Sequence, residues 1–268
     1  MKRNCRMRRK VQGFLIGGCV CIFLHGSGAA GRAQQQRVMN NDELLSGQVF
    51  SPTFSRRNPD LMSYERQIED KRSLCIYNYR TGETQLIKAV ASASSPDEDI
   101  LNRLFESRKL EQFTQFDGQL DWRPTLDEKD RQWFVFVSNG SAKSYDLYIS
   151  YLDRRGVLAT EPPICLTHPG VDQFPKWSPD GNSLAFVSES KSGGDLFLAQ
   201  NMSSVLLRGN AVQFRPVKLT GNLEREISYP ARSPNRKFIA YEALRDDGNH
   251  VRLVCSFAFT VTVIGQLP

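Results

Sequence analysis

Few side chains in this 268-residue sequence stand in a pattern that does chemistry. Of the three histidines, His25 lies in the N-terminal leader, which leaves His168 and His250 for the rest of the chain. Both sit beside polar loop residues, and a metal site needs several His, Asp or Cys side chains converging, so exposed loop histidines are expected. Asp97, Glu98 and Asp99 form an acidic run. It follows Ser95-Pro96, and acids at a helix start answer the positive end of the helix dipole, so no calcium is expected there. Acyl-transfer chemistry of the α/β-hydrolase kind needs a G-x-S-x-G elbow, and the sequence contains none. The mature part keeps Cys75, Cys165 and Cys255, an odd number at wide spacing that gives neither a metal signature nor a disulfide framework. Buried thiols are the expectation, with one bridge left open in an oxidising compartment. Catalytic residues, metal ligands and cofactors are therefore all expected to be absent.

The leader itself is informative. Residues 1–33 hold seven Lys or Arg and no acid, followed by an apolar run from Val11 to Leu24 and the small-residue stretch HGSGAAGRAQ. A basic head, a short apolar core and small residues make a secretory signal peptide, with cleavage after Ala30 or Ala33. An uncleaved anchor and a lipid anchor at Cys19, within Ile16-Gly17-Gly18-Cys19, are the alternatives. Removing this segment leaves 28 basic against 29 acidic residues, so the formal charge of +6 belongs to the leader. Nucleic acid is not an expected partner.

The elements that must position any site repeat along the chain. The segments QLDWRP (119–124), QFPKWSPDG (173–181) and ISYPARSPN (227–235) align at a 55-residue interval, and FSPTFSRRNPD (50–60) is a weaker copy 68 residues earlier. Each is followed by a short apolar and aromatic strand: FVFVS (134–138), LAFVS (184–188), FIAYE (238–242) and LMSYE (61–65). A second strand comes next, as in DLYISYL (146–152) and DLFLAQ (195–200), and each unit closes on a pair such as Leu166-Thr167 or Leu219-Thr220. Ser178-Pro179-Asp180-Gly181 supplies a preset φ, a side-chain acceptor and a residue tolerant of positive φ, which is the chemistry of a turn. In the last copy, Ser233-Pro234-Asn235-Arg236, Asn replaces the acceptor and Arg loses the freedom of Gly. Trp122 and Trp177 read as repeat core. A capping box at Ser95-Pro96-Asp97-Glu98, with Ile100, Leu101, Leu104 and Phe105 at helical spacing, predicts one inserted helix over about 96–111. The expected organisation is a signal peptide (1–33), a linker (34–47) and a repeat domain (48–268) with units at about 48–90, 113–165, 166–218 and 219–264.

FPKWSPDGNSLAFVSESKSGGDLFLAQ, with its preceding Leu-Thr pair, closely resembles the PD40 (WD40-like) repeat of TolB-like β-propeller proteins. The resemblance implies an all-β fold, a β-propeller of four-stranded antiparallel blades. About four units are recognisable here, fewer than the six blades of TolB, so an incomplete ring, a truncated chain or closure through a second copy is left open. It also implies an exported, non-catalytic scaffold, periplasmic or secreted, that binds an envelope protein or peptide through its loop face. Fold geometry places the candidate partner-binding residues Asp117, His168, Asp172, Glu224 and Arg225 on that face. The alternatives are the propeller domain of a peptidase- or glycan-active enzyme lineage and a fragment without independent function.

Overall fold

Short runs in which apolar side chains alternate with small or polar ones, punctuated by Pro, Asp, Asn and Gly, form hairpin after hairpin along this chain. The computed structural model describes residues 15–16, 19–20, 47–88, 115–140, 145–167, 171–190, 193–209, 211–220, 224–245, 250–256 and 261–266. Within the leader, Leu15–Ile16 (β1) pairs antiparallel with Cys19–Val20 (β2). The first large sheet contains Gln48–Phe54 (β3), Leu61–Ile68 (β4), Lys71–Asn78 (β5) and Glu83–Ile87 (β6). The second contains Gln115–Trp122 (β7), Gln132–Ser138 (β8), Asp146–Leu152 (β9) and Ile164–Cys165 (β10). Val171–Trp177 (β11), Ser183–Ser190 (β12), Gly193–Gln200 (β13) and Pro216–Lys218 (β14) make the third, and Glu224–Arg232 (β15), Phe238–Arg245 (β16), His250–Ser256 (β17) and Val261–Gln266 (β18) the fourth. Within each sheet the four strands pair antiparallel in chain order.

The sheets pack face on face, and each packing buries its own apolar cluster. Leu61, Leu74 and Ile76 of the first sheet meet Trp122, Phe134 and Phe136 of the second. Trp133, Val135 and Ile149 on the opposite side of the second meet Trp177, Leu184 and Phe186 of the third. Ala185, Val187, Leu196 and Leu198 then meet Ile227, Ile239 and Tyr241 of the fourth. A four-stranded sheet buries one side on its predecessor and the other on its successor, which is how a propeller covers surfaces that no single unit hides. The fold is thus an all-β propeller array of four antiparallel blades.

Register fixes the equivalences. Trp122 pairs with Phe134, Trp177 with Leu184, Arg232 with Ile239 and Phe54 with Met62. The equivalent of Phe134 in the outer copies is therefore Met62 or Ile239, one residue later than the segments LMSYE and FIAYE begin. Every first strand is also bulged at the same place, and the residue at the bulge is left-handed: Ser51 (φ 48°), Gln119 (51°), Phe174 (54°) and Tyr229 (50°). A left-handed L-residue costs about 1 kcal/mol, so its recurrence in all four sheets marks a bend that the architecture requires. Gln119 Oε1 accepts the Phe174 N–H at 2.6 Å, and Glu65 Oε1 accepts the Gln119 N–H at 2.8 Å. The bends of the second and third sheets are thereby tied together, and that of the second sheet is tied to β4.

The helix predicted over about 96–111 lies outside the described residues, as do most of the leader and the linker. A helix that the repeat pattern did not announce, Met202–Arg208 (α1), stands between β13 and β14 and buries Met202, Val205 and Leu206 in the cluster between the second and third sheets. Asn201 precedes it with φ 58° and Gly209 ends it with φ 65°.

Candidate functional site

The rim where first strands enter their sheets is built by short parallel contacts between neighbours. Lys71 and Arg72 at the start of β5 pair in parallel with Gln115 and Phe116 at the start of β7. Tyr145, next to β9, bridges in parallel to Val171 at the start of β11, and the Asp172 N–H donates to the Tyr145 carbonyl at 2.6 Å. These contacts bring the entries to β7 and β11 beside the second hairpin of the preceding sheet. Segments distant in sequence thus meet on one end of the array. Asn139 holds this junction from the loop after β8: its Oδ1 accepts the Phe116 N–H at 2.8 Å and its own N–H donates to the Phe116 carbonyl at 2.9 Å.

Asp117 is only 2% exposed. Its Oδ1 accepts the Ser138 hydroxyl at 2.6 Å and its Oδ2 the Gln115 side-chain amide at 3.0 Å. Asp172, on the matching position of β11, is 4% exposed. Both carboxylates are thus buried, and Asp117 braces the rim from within through Ser138 and Gln115. Sequence alone could not tell a rim-facing from a sheet-facing carboxylate. Glu224 and Arg225 open β15 opposite Arg245 and Leu244; their side chains, together with His168, lie outside the described residues. So do residues 141–144, 168–170, 191–192, 221–223 and 246–249.

The Leu-Thr and Asp-Leu pairs of the repeat form a clasp near the same end. The Leu147 N–H donates to Thr167 Oγ1 at 2.9 Å and the Leu166 N–H to the Leu147 carbonyl at 2.8 Å. In the third sheet the Leu196 N–H donates to Thr220 Oγ1 at 3.0 Å, the Thr220 hydroxyl to Asp195 Oδ1 at 3.1 Å and the Leu219 N–H to the Leu196 carbonyl at 2.8 Å. The threonine satisfies a backbone donor that the fourth strand no longer reaches.

At the opposite end sit the Pro-bearing turns. Ser178 Oγ accepts the Ser183 N–H at 2.9 Å and donates to Asp180, whose Oδ1 also accepts the Asn182 N–H at 3.1 Å. Gly181 takes φ 67°. In the fourth sheet Ser233 Oγ accepts the Phe238 N–H at 2.9 Å, Asn235 Oδ1 accepts the Lys237 N–H at 3.1 Å, and Arg236 takes φ 66°. Partial burial opposes ionisation of Asp180, but the Ser178 hydroxyl, the Arg236 guanidinium at 2.6 Å and the Asn182 N–H outweigh it and hold the carboxyl at about 2. Arg123 Nε reaches from the second sheet to the Gly181 carbonyl at 2.8 Å. The turns are thus cross-braced structural elements.

Among the described residues no group of three or more His, Cys, Asp or Glu is placed to hold a metal ion. An open groove of about 540 Å³ runs along the outer edge of the second sheet, lined by Lys129, Arg131, Tyr151, Asp153, Arg154, Arg155 and Glu161. Its charges are largely internal: Arg131 pairs with Asp127 at 2.6 Å, lying over the rings of Trp133 and Tyr151, and Arg155 pairs with Asp153 at 2.9 Å. Neither Cys75 nor Cys165 is in a disulfide, and burial pushes their thiols up to about 11 and about 12. Among the described residues no helix is long and apolar enough to cross a membrane.

No protein-family model matches the chain, and no curated protein does. Among solved structures the chain is similar to TolB from Acinetobacter baumannii, with a TM-score of 0.50 and 13% identity, over 82% of this chain and 44% of that one. It is similar as well to a protein of Agrobacterium tumefaciens described as a TolB (TM-score 0.49, 13% identity, 82% of each chain) and to oligopeptidase B from Leishmania major (TM-score 0.47, 8% identity, 82% of this chain and 27% of that one). The chain spans less than half the length of the Acinetobacter protein. That likeness shows the fold, a β-propeller array.

Proposed function

We propose that this protein is an exported, non-catalytic propeller scaffold that holds a protein or peptide of the cell envelope on its loop rim. The observation that supports the reading is the rim itself, where entry segments of successive sheets are pinned beside the hairpins of their predecessors. A rigid end that gathers loops from several units is the usual place for recognition, because the scaffold fixes them without constraining their sequence. The basic and apolar leader supports export. In this reading Glu224, Arg225 and His168 are contact positions, while Asp117 and Asp172 keep the rim in shape from beneath.

The test is capture of partners from an envelope extract by the wild-type protein and by a double variant, Glu224→Arg with Arg225→Glu. Loss of the captured set at least about tenfold is expected, since reversing charge at a polar interface opposes association. An unchanged set would remove these residues from the contact surface. N-terminal sequencing of the secreted chain checks export independently, with a start after Ala30 or Ala33 as the expected result.

A further inference from the structure

The connection from third to fourth strand differs from sheet to sheet. The first sheet turns through residues 79–82, the second takes 153–163, and the third takes 201–215, the longest of the four. That segment forms α1 and a short 3₁₀ helix, Ala211–Gln213. A tight turn already closes the first sheet, so closure alone does not call for the insertion. Met202, Val205, Leu206 and Phe214 seat it in the cluster between the second and third sheets. It rests on the Pro-bearing turn, where the Met202 N–H donates to the Asn182 carbonyl at 3.0 Å and the Ser203 N–H to Asn182 Oδ1 at 3.2 Å. The insertion therefore stands at the end of the array opposite the rim. Its sheet has a neighbour on each side, so its outward residues are not a face left for another blade.

What it turns outward is apolar. Leu207 is 67% exposed and Val212 62%. They flank the bend at Gly209, where an added Cβ would meet nothing within 4 Å, so the bend stands in open space. The charge beside them has one sign. No acid occurs between Asp195 and Glu224, a stretch that holds Arg208, Arg215 and Lys218. Lys218 reaches back to Asp195 at 2.8 Å, whereas Arg208 and Arg215 are exposed. In the equivalent connection of the second sheet Arg155 is answered by Asp153 at 2.9 Å. We propose that the insertion docks on an anionic lipid bilayer: Leu207 and Val212 enter the boundary between headgroups and acyl chains, and Arg208 and Arg215 pair with lipid phosphates. A bilayer fits better than an acidic protein surface, because a narrow tip with two aliphatic ends sinks into a fluid boundary without needing a matching pocket. Docked this way, the molecule presents its rim away from the membrane.

Fluorescence of the full chain carrying Leu207→Trp, mixed with vesicles of phosphatidylcholine and phosphatidylglycerol, tests this. Trp122, Trp133 and Trp177 are buried, so the added indole is the one that reports contact with lipid. When the acyl chains carry bromine near the headgroup, its emission should fall at least about twofold, since interfacial side chains lie about 5–10 Å deep. Vesicles of phosphatidylcholine alone should not quench it, and neither should the mixed vesicles once Arg208→Glu and Arg215→Glu are added to the Leu207→Trp chain. Ile68→Trp, where β4 reaches the rim, should stay unquenched throughout, which separates docking by this tip from adhesion through the basic leader. Val212→Trp replaces Leu207→Trp if that variant melts differently from wild type. An unquenched indole at the tip overturns the proposal, as it would if the arginines met an acidic protein instead of lipid. So does equal quenching of Ile68→Trp, quenching as strong on phosphatidylcholine alone, or quenching that survives the charge reversal.

Discussion

The third and fourth sheets are built on one register with different chemistry. Both turns place a serine hydroxyl under the N–H five residues on, both use a side-chain oxygen two residues later as an acceptor, and both bend through a left-handed residue at φ 66–67°. The fourth sheet has Asn235 for Asp180 and Arg236 for Gly181. Above the turn, the third sheet fills its row with Trp177, 5% exposed, whereas the fourth uses Arg232, whose guanidinium reaches Ser183 of the third at 3.2 Å. The hydrogen-bonding skeleton is therefore what the repeat demands, and the filler of the row is negotiable.

Truncating the two fillers should separate the sheets most sharply. Trp177→Ala is expected to lose about 3–5 kcal/mol in denaturant unfolding, the range for removing a buried aromatic. Arg232→Ala should lose far less, since the residue is half-buried and its removal also ends the desolvation that burial imposes on the guanidinium. Equal losses would mean that the fourth sheet depends on its filler as strongly as the third.

Exchanging the turn residues should have the next largest effect. Gly181→Arg is expected to destabilise by about 1–3 kcal/mol, combining left-handed strain with overpacking. A Cβ at Gly181 would stand 2.5 Å from Thr125 Oγ1 and 2.8 Å from Arg123 Nε. The reverse change, Arg236→Gly, relieves strain of about 1 kcal/mol and gives up an exposed ion pair worth at most about that much. Its melting temperature should stay close to wild type. A strongly destabilised Arg236→Gly would show that the ion pair to Asp180 outweighs the backbone.

The smallest difference should appear in acid. Asp180 has a folded value of about 2, below the ordinary 3.8. Its stabilisation is therefore complete above pH about 4 and is lost as pH falls toward 2. Asn235, at the same place in the fourth sheet, does not titrate. Asp180→Asn should accordingly flatten the stability profile between pH 4 and 2, read as melting temperature against pH, and a profile of unchanged slope would show that the carboxylate contributes nothing there.

The fold was legible because repetition reveals itself without contacts: Trp122, Trp177 and the Pro-bearing turns stand at a constant interval, and hairpin chemistry around them is local. Arg236 was legible too, as the residue forced to do without glycine. The bends at Ser51, Gln119, Phe174 and Tyr229 were less visible, although three of the four precede a proline in a strand, which is a signal for a broken ladder. Helix α1 escaped because seven residues with Met202, Val205 and Leu206 inward look like any short apolar stretch. The candidate site was hardest, since whether Asp117 faces outward or into the sheet depends on Ser138 and Gln115 arriving beside it.

One feature of the strand order bears on how such a chain reaches its shape. Each strand within a sheet is hydrogen-bonded to its immediate predecessor, so most ladders join segments close along the chain, and their loop-closure entropy is small. A newly made or newly threaded polypeptide can therefore crystallise one hairpin upon the last in the order in which it emerges, without waiting for a distant terminus to arrive.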